Sequence, residues 1–328
     1  MKVLKDISVK GIVFALARVP DRNRLVFGGS DFKLYDLDLA ANKLEPKALG
    51  EHQSYLTGLA LTDKTIVSGG YDGQLIWWDI EARKQIRAVA AHTKWIRKVA
   101  VSPNSKLIAS VGDDMVCRLW DAASGQLLRE LRGHQEQTPH HYPSMLFTCT
   151  FSPDGRFLAT ADKVGHIVVW DAEGGKQVRT LEAPGMYTWD PVQRKHSIGG
   201  IRALTFSPDG KYLAAGGISK INNIDHLDGK ARIEVFDWQQ GQKTHEYVDD
   251  KFKGIVDHLA FHPKGDWLLG AGGANDGFFL FFDLKEKKAI RHEKAAMHVR
   301  DFVLDEKGET IYAAGHGRIQ VLVAKAET

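Results

Sequence analysis

Short apolar runs recur along the chain, and each is closed by a polar turn. The clearest copies are Phe151-Ser152-Pro153-Asp154-Gly155 and Phe206-Ser207-Pro208-Asp209-Gly210. Looser ones stand at Val19-Pro20-Asp21, Leu61-Thr62-Asp63, Val101-Ser102-Pro103-Asn104, Phe261-His262-Pro263-Lys264-Gly265 and Leu304-Asp305-Glu306-Lys307-Gly308, which makes seven. Proline presets one backbone angle of such a turn and glycine accepts a left-handed one, so the signal has a mechanism. After each turn come an apolar strand, small residues and a further strand. The further strands end in Trp78-Asp79, Trp120-Asp121 and Trp170-Asp171, with Tyr35-Asp36, Phe236-Asp237 and Phe282-Asp283 as weaker copies. No long helical periodicity intervenes. Four short strands per unit, at a spacing of roughly 40–45 residues, predict an all-β fold of propeller blades.

At these residues the chain resembles the WD40-repeat family, over essentially its whole length. Beside the Trp-Asp pairs, Gly133-His134 matches the family's Gly-His signature, with Ala91-His92 and Glu51-His52 as variants. The first, fifth and sixth units have lost the tryptophan, and the seventh has lost the pair. The resemblance implies a seven-bladed β-propeller of four-stranded antiparallel blades. The seventh unit has strands near residues 311–314 and 318–323 but no fourth strand, while residues 2–8 precede the first complete unit. That stretch is expected to complete the last blade and close the ring without an unpaired seam. The chain then reads as a single domain over residues 1–328.

The resemblance also implies a hydrogen-bonded network in each blade. It falls on His52, Ser68, Asp72 and Trp78, and again on His92, Ser110, Asp114 and Trp120. The fourth unit keeps His134, Thr160 and Trp170 but has Val164 at the carboxylate position, so its network is expected to be incomplete. A Ser-His-Asp set invites a hydrolase reading. Its recurrence with the repeat argues for structure instead, because a hydrolase needs one activated nucleophile.

The turn markers are 42 and 41 residues apart from Pro20 through Thr62 to Pro103, and then 50, 55, 55 and 43 apart. The surplus falls in insertions at 135–144, 184–198 and 218–230. In a four-stranded antiparallel blade these connections leave on one rim, so three long loops are expected together beside units 4 and 5. They carry His140, His141, Tyr142, Tyr187, Trp189, Arg194, Lys195, His196 and His226. Exposed aromatics and arginines are typical interface anchors, although neutral loop growth is also thermodynamically cheap.

Aligning the innermost strands stacks Phe14, Thr57, Arg97, Phe147, Arg202, Asp257 and Arg300 in one column. By period-two alternation this column faces the central channel, because the preceding residues, such as Ile96 and Ile201, point into the sheet packing. Tyr55, Tyr71, Trp95 and Asp113 stand nearby. Three arginines around one opening suit a carboxylate or phosphate. A solvated channel with internal ion pairs to Asp257 is the plainer reading. The family often binds peptides or protein segments at this face, so the resemblance points the same way. The candidate binding residues are therefore Tyr55, Tyr71, Trp95, Arg97, Phe147, Tyr187, Trp189, Arg202, Asp257 and Arg300.

Composition sets limits on this picture. The 328 residues carry 44 Lys+Arg against 41 Asp+Glu, a formal charge of +3. The basic residues are scattered, and no dense stripe argues for nucleic acid. Apolar runs such as 278–282 are too short to span a bilayer, and residues 1–10 lack the apolar core of a secretory signal. A cytoplasmic location and a monomer are expected. Two cysteines make no disulfide framework. Cys117 and Cys149 stand where other units have Leu or Val, which predicts buried free thiols. Gly-Lys pairs end in Gln177, Tyr212 or Ala231, so no phosphate loop is present, and no Gly-x-Ser-x-Gly elbow occurs. His292-Glu293 is followed by His298, which is not the zinc-protease spacing. His140, His141, His196 and His226 are the one metal set considered, with chance proximity preferred, so no metal or cofactor is expected. The leading expectation is a non-catalytic scaffold for a protein or peptide. The alternative is a small-molecule or metal site at the channel mouth, including an enzyme using Asp257 beside His258.

Overall fold

The Ser-Pro-Asp-Gly turns form for local reasons. The Ser152 hydroxyl accepts the Phe157 N–H at 2.9 Å and donates to Asp154 at 2.5 Å, while Gly155 sits at φ +72°. Ser207, Asp209 and Gly210 repeat the arrangement before Tyr212. Each turn thereby fixes the exit of an inner strand and the entry of the next. The computed structural model describes residues 1–20, 22–62, 65–192, 195–222 and 227–324. Asp21 and Asp63 of the two loosest turns lie outside the described residues.

The strands assemble into antiparallel sheets, numbered here by repeat. Blade 2 holds Leu56–Leu61, Thr65–Gly70, Gln74–Asp79 and Lys84–Ala90. Blade 3 holds Ile96–Val101, Leu107–Gly112, Cys117–Asp121 and Leu127–Leu131. Blade 4 runs from Leu146–Phe151 to Gln177–Glu182, blade 5 from Ala203–Phe206 to Gln242–Lys253, and blade 6 from Ile255–Phe261 to Lys288–Ala295. Their innermost strands meet one another in sequence order around the ring, which is a β-propeller of four-stranded antiparallel blades.

The expectation of seven separate sheets is corrected at the junction of the chain ends. The first and last repeats share one six-stranded sheet, so six blade sheets are seen among the described residues rather than seven. Lys2–Val19 and Thr310–Val323 each run unbroken through the corner. Residues 2–8 pair with 318–323, as expected of a strand that joins the last blade. Residues 13–19 pair with Arg24–Gly29 instead. Ile12 pairs with His316 between the two stretches, and Gly11 and Gly317, at φ +70° and +69°, let both strands bend together. Backbone pairing therefore carries across the corner.

Blades cohere through apolar layers between sheets. Trp170 and Val168 of blade 4 pack on Leu119, Leu131 and Cys117 of blade 3. Trp77 of blade 2 is fully buried and donates its indole N–H to the Ala122 carbonyl of blade 3 at 2.8 Å. Each large side chain buried this way stabilises the ring by about 1.5–3 kcal/mol. Cys117 and Cys149 are buried free thiols, and burial pushes the Cys149 thiol up to about 12.

The blade networks are built as the sequence implies in blades 2 and 3. His52 bonds Asp72 at 3.0 Å and Ser68 at 2.7 Å, and Trp78 donates to Ser68 at 2.7 Å. His92, Asp114, Ser110 and Trp120 match this within 2.8–2.9 Å. Blade 4 corrects the expectation, because its network is complete. His134 bonds Thr160 at 2.8 Å and Asp162 at 2.9 Å, and Trp170 donates to Thr160 at 2.9 Å. Asp162 pairs with Leu146 as Gly70 pairs with Leu56, so the carboxylate has moved from the turn to the strand end.

Candidate binding site at the channel mouth

β-Bulges in the inner strands of six repeats create the site. The register shifts between Val13 and Ala15, Leu56 and Gly58, Leu146 and Thr148, Val256 and His258, and Val299 and Asp301. Blade 3 shifts between Ile96 and Lys98. The skipped residues are Phe14, Thr57, Phe147, Asp257, Arg300 and Arg97, which is the predicted column. Arg202 stands at the matching place, donating its N–H to the Gly216 carbonyl at 2.9 Å. A bulge leaves one residue out of the ladder and re-aims its side chain.

Eight of the ten predicted site residues are brought together there. Tyr71 and Trp95 stack at 4.3 Å with planes 2° apart. Tyr55 meets Tyr71 at 5.6 Å, Phe14 at 5.8 Å and Phe32 at 5.6 Å. Arg97 is held on both sides: it makes two 2.7 Å bonds to Asp113, donates to the Tyr71 hydroxyl, and lies over the rings of Trp95 and Phe147. Arg202 lies 3.5 Å above the Phe147 ring. Arg300 approaches Asp257 at 3.4 Å, and Asp257 also takes His298 at 2.6 Å. The expected internal ion pair to Asp257 is thus present, alongside an aromatic belt that the column alone did not reveal. Phe32 belongs to that belt and was missed, since it lies in a turn at φ +72°, a backbone state unusual for a bulky residue.

The channel below holds a second layer that was also missed. Asp301 bonds His258 at 2.6 Å, lies 3.9 Å from Lys98, and accepts the Leu16 N–H at 2.9 Å. Burial alone would raise the Asp301 carboxyl, but Lys98 and His258 outweigh it and hold it below the usual range. Lys98 belongs to blade 3 and Asp301 to the last repeat, so this pair spans the channel. His258 is committed to Asp301 and not to its neighbour Asp257.

The insertions do gather on the same face. The 184–198 insertion forms a hairpin of Tyr187–Asp190 and His196–Gly199. His140 stacks on Trp189 at 4.6 Å and bonds the Tyr187 hydroxyl at 2.9 Å. Tyr142 meets Trp189 at 5.1 Å. The Ile221 N–H donates to Thr188 at 3.0 Å, and Ile198 and Leu227 pack against Ile218, Ile221 and Ile255. Tyr187 and Trp189 therefore belong to an interlocked loop cluster, with Gly200 seating the base of the hairpin against the Lys163 backbone. Arg194 and His226 lie outside the described residues. Among the described residues no three His, Cys, Asp or Glu side chains converge in a metal-binding group, and no helix is long and apolar enough to cross a membrane.

The WD domain, G-beta repeat family matches residues 83–121, 125–171 and 189–233. Among curated proteins, the chain is 26% identical to the mouse Telomerase protein component 1 over 79% of its own length and 8% of that protein. It is 28% identical to the Nuclear distribution protein PAC1 of Coccidioides posadasii, over 66% of this chain and 45% of that one. It is 26% identical to a subunit of the mouse Chromatin assembly factor 1, over 63% and 39%. The chain spans less than half the length of each of these relatives. Repeat matches, blade networks and ring architecture agree, and the chain carries WD40 repeats.

Proposed function

We propose that the protein is a non-catalytic scaffold that holds a protein or peptide segment across the channel mouth and the long-loop face. The observation that carries this reading is the aromatic belt. Phe32, Tyr55 and Trp95 are 38%, 41% and 48% exposed, yet they form one continuous patch with Tyr71 on a rigid rim. Beside it opens a pocket of about 350 Å³ lined by Tyr71, Thr93, Lys94, Trp95 and Asp113, which is room for a single anchoring side chain. Two of the relatives are by name a component and a subunit of assemblies, which agrees with a binding role. The same reading treats the six-stranded sheet as two blades fused at a corner, giving seven repeats around the ring. It is supported by the separate pairing of residues 2–8 and 13–19.

The test is an affinity capture from the native source with wild type and a Tyr55→Ala/Trp95→Ala variant. A protein retained by the wild type and lost by the variant supports the reading. Equal capture by both removes the mouth as the binding site.

A further inference from the structure

Two cations at the mouth lack a counter-charge. Arg97 is neutralised by Asp113, and Arg300 by Asp257. Arg202 and Lys163 have no carboxylate within ion-pair distance among the described residues. Lys163 is only 6% exposed. Arg202 makes one long hydrogen bond, to the Gly199 carbonyl at 3.4 Å, and its buried Nε has no partner. Desolvated cations are normally paired, because burial without a partner is costly.

The surroundings hold the two groups in place. Phe147 supports the Arg202 guanidinium from one face, which fixes its plane. Gly200 packs on the Lys163 backbone, and a Cβ there would lie 2.6 Å from the Lys163 Cα. Burial pushes Arg202 down to about 10, with Asp257 opposing the repulsion of Arg97 and Arg300. Burial likewise lowers Lys163, followed by the charge of Arg202. Asp257 and Asp113 offset these shifts in part from a distance, but neither forms an ion pair with Arg202 or Lys163 among the described residues.

We propose that Arg202 and Lys163 form a receptor for a doubly charged anion, a phosphate monoester carried on a side chain of the bound segment. A planar guanidinium offers two parallel donors to phosphate oxygens, and a lysine adds a point charge. A phosphate monoester carries about −1.5 to −2 at neutral pH, which matches the two unpaired positive charges. A single carboxylate leaves one of them unmatched. This inference rests on the proposed function for the source of the anion and on the mouth's own geometry for its chemistry.

The test is calorimetric titration of the full chain with three probes: inorganic phosphate, a short phosphoserine peptide, and the same peptide with glutamate. The phosphoserine peptide is expected to bind about ten-fold or more tightly than the glutamate peptide, since bidentate charged contacts to a dianion exceed those to a monoanion. Its binding to wild type weakens as pH falls through about 6, where the phosphate gains a proton. Arg202→Gln and Lys163→Gln each weaken it, and Arg202→Lys weakens it less than Arg202→Gln. The wild-type pH series needs no variant and stands even if a substitution unfolds the ring. Equal binding of the two peptides, no pH dependence, or no binding by any probe overturns the proposal. Inorganic phosphate binding as tightly as the phosphopeptide overturns the side-chain source. Failure here with partner capture intact leaves the scaffold reading standing.

Discussion

Asp162 occupies the strand-end position that Gly70 holds in blade 2, and from there its carboxylate reaches His134 across 2.9 Å. It also accepts the backbone N–H groups of Val164 and His166 at 3.0 Å. Asp162→Ala leaves His134 buried with one ring nitrogen unpaired, and a loss of about 3–5 kcal/mol is expected. The double change Asp162→Gly/Val164→Asp returns the carboxylate to the turn position used by Asp72 and is expected to recover most of that loss. Urea unfolding midpoints of the two variants check both statements.

Asp114 makes the fold acid-sensitive. Burial acts to raise its pKa, but His92 and Arg118 outweigh burial and hold it far below the ordinary range. A depressed folded value means stability that is complete above the unfolded value of about 3.9 and is lost as pH falls below it. Asp72, lowered by His52 against burial, adds in the same direction. Unfolding free energy is expected to be little changed by these groups from pH 6 to about 4 and to fall steeply below about pH 4 in wild type, and less steeply in Asp114→Asn.

Two tryptophans should separate binding from stability. Trp95 is half exposed on the rim, and Trp77 is buried between blades 2 and 3. Trp95→Ala is expected to weaken partner binding by about 10–100-fold with little change in melting midpoint. Trp77→Ala is expected to cost about 3–5 kcal/mol of stability. Parallel melting and binding curves decide the assignment, which fails if Trp95→Ala leaves affinity untouched.

The small apolar cluster beneath the long loops ties the insertions to one another. Ile221→Asp puts a charge among Ile198, Ile218 and Ile255. Faster trypsin cleavage after Lys195 is expected, with global unfolding changed by less than about 1 kcal/mol, because the cluster lies outside the blade cores. An unchanged cleavage rate means the hairpin is held by other contacts.

Repeats, turns and two of the networks were legible because each rests on local chemistry at fixed spacing. The channel column was legible for the same reason. Lys98 and Asp301 were not, and His258 was read beside Asp257 rather than against Asp301, because strict alternation places the residue after the column inside the sheet. The bulge adds one residue and turns that next position inward as well. Asp162 was missed because a carboxylate can enter one network from two backbone positions. The interlocking of the insertions was missed because Ile198, Ile221 and Leu227 sit in stretches that look polar, and only the fold brings them together. The continuous corner was not legible, because it depends on Gly11 and Gly317, whose left-handed backbone lets two strands bend without parting.

The closing pair of strands also sets how the ring answers tension. Lys2 lies opposite Val323 in an antiparallel ladder, so the two ends of the chain leave from the same side of one sheet. The hydrogen bonds of such a ladder run perpendicular to the strands. A load drawn between the ends meets them one after another, from Val323 towards Arg318, rather than all at once. The seam that closes the circle is therefore a zipper, and a pull on the ends is expected to open the ring there at low force while the other sheets stay folded.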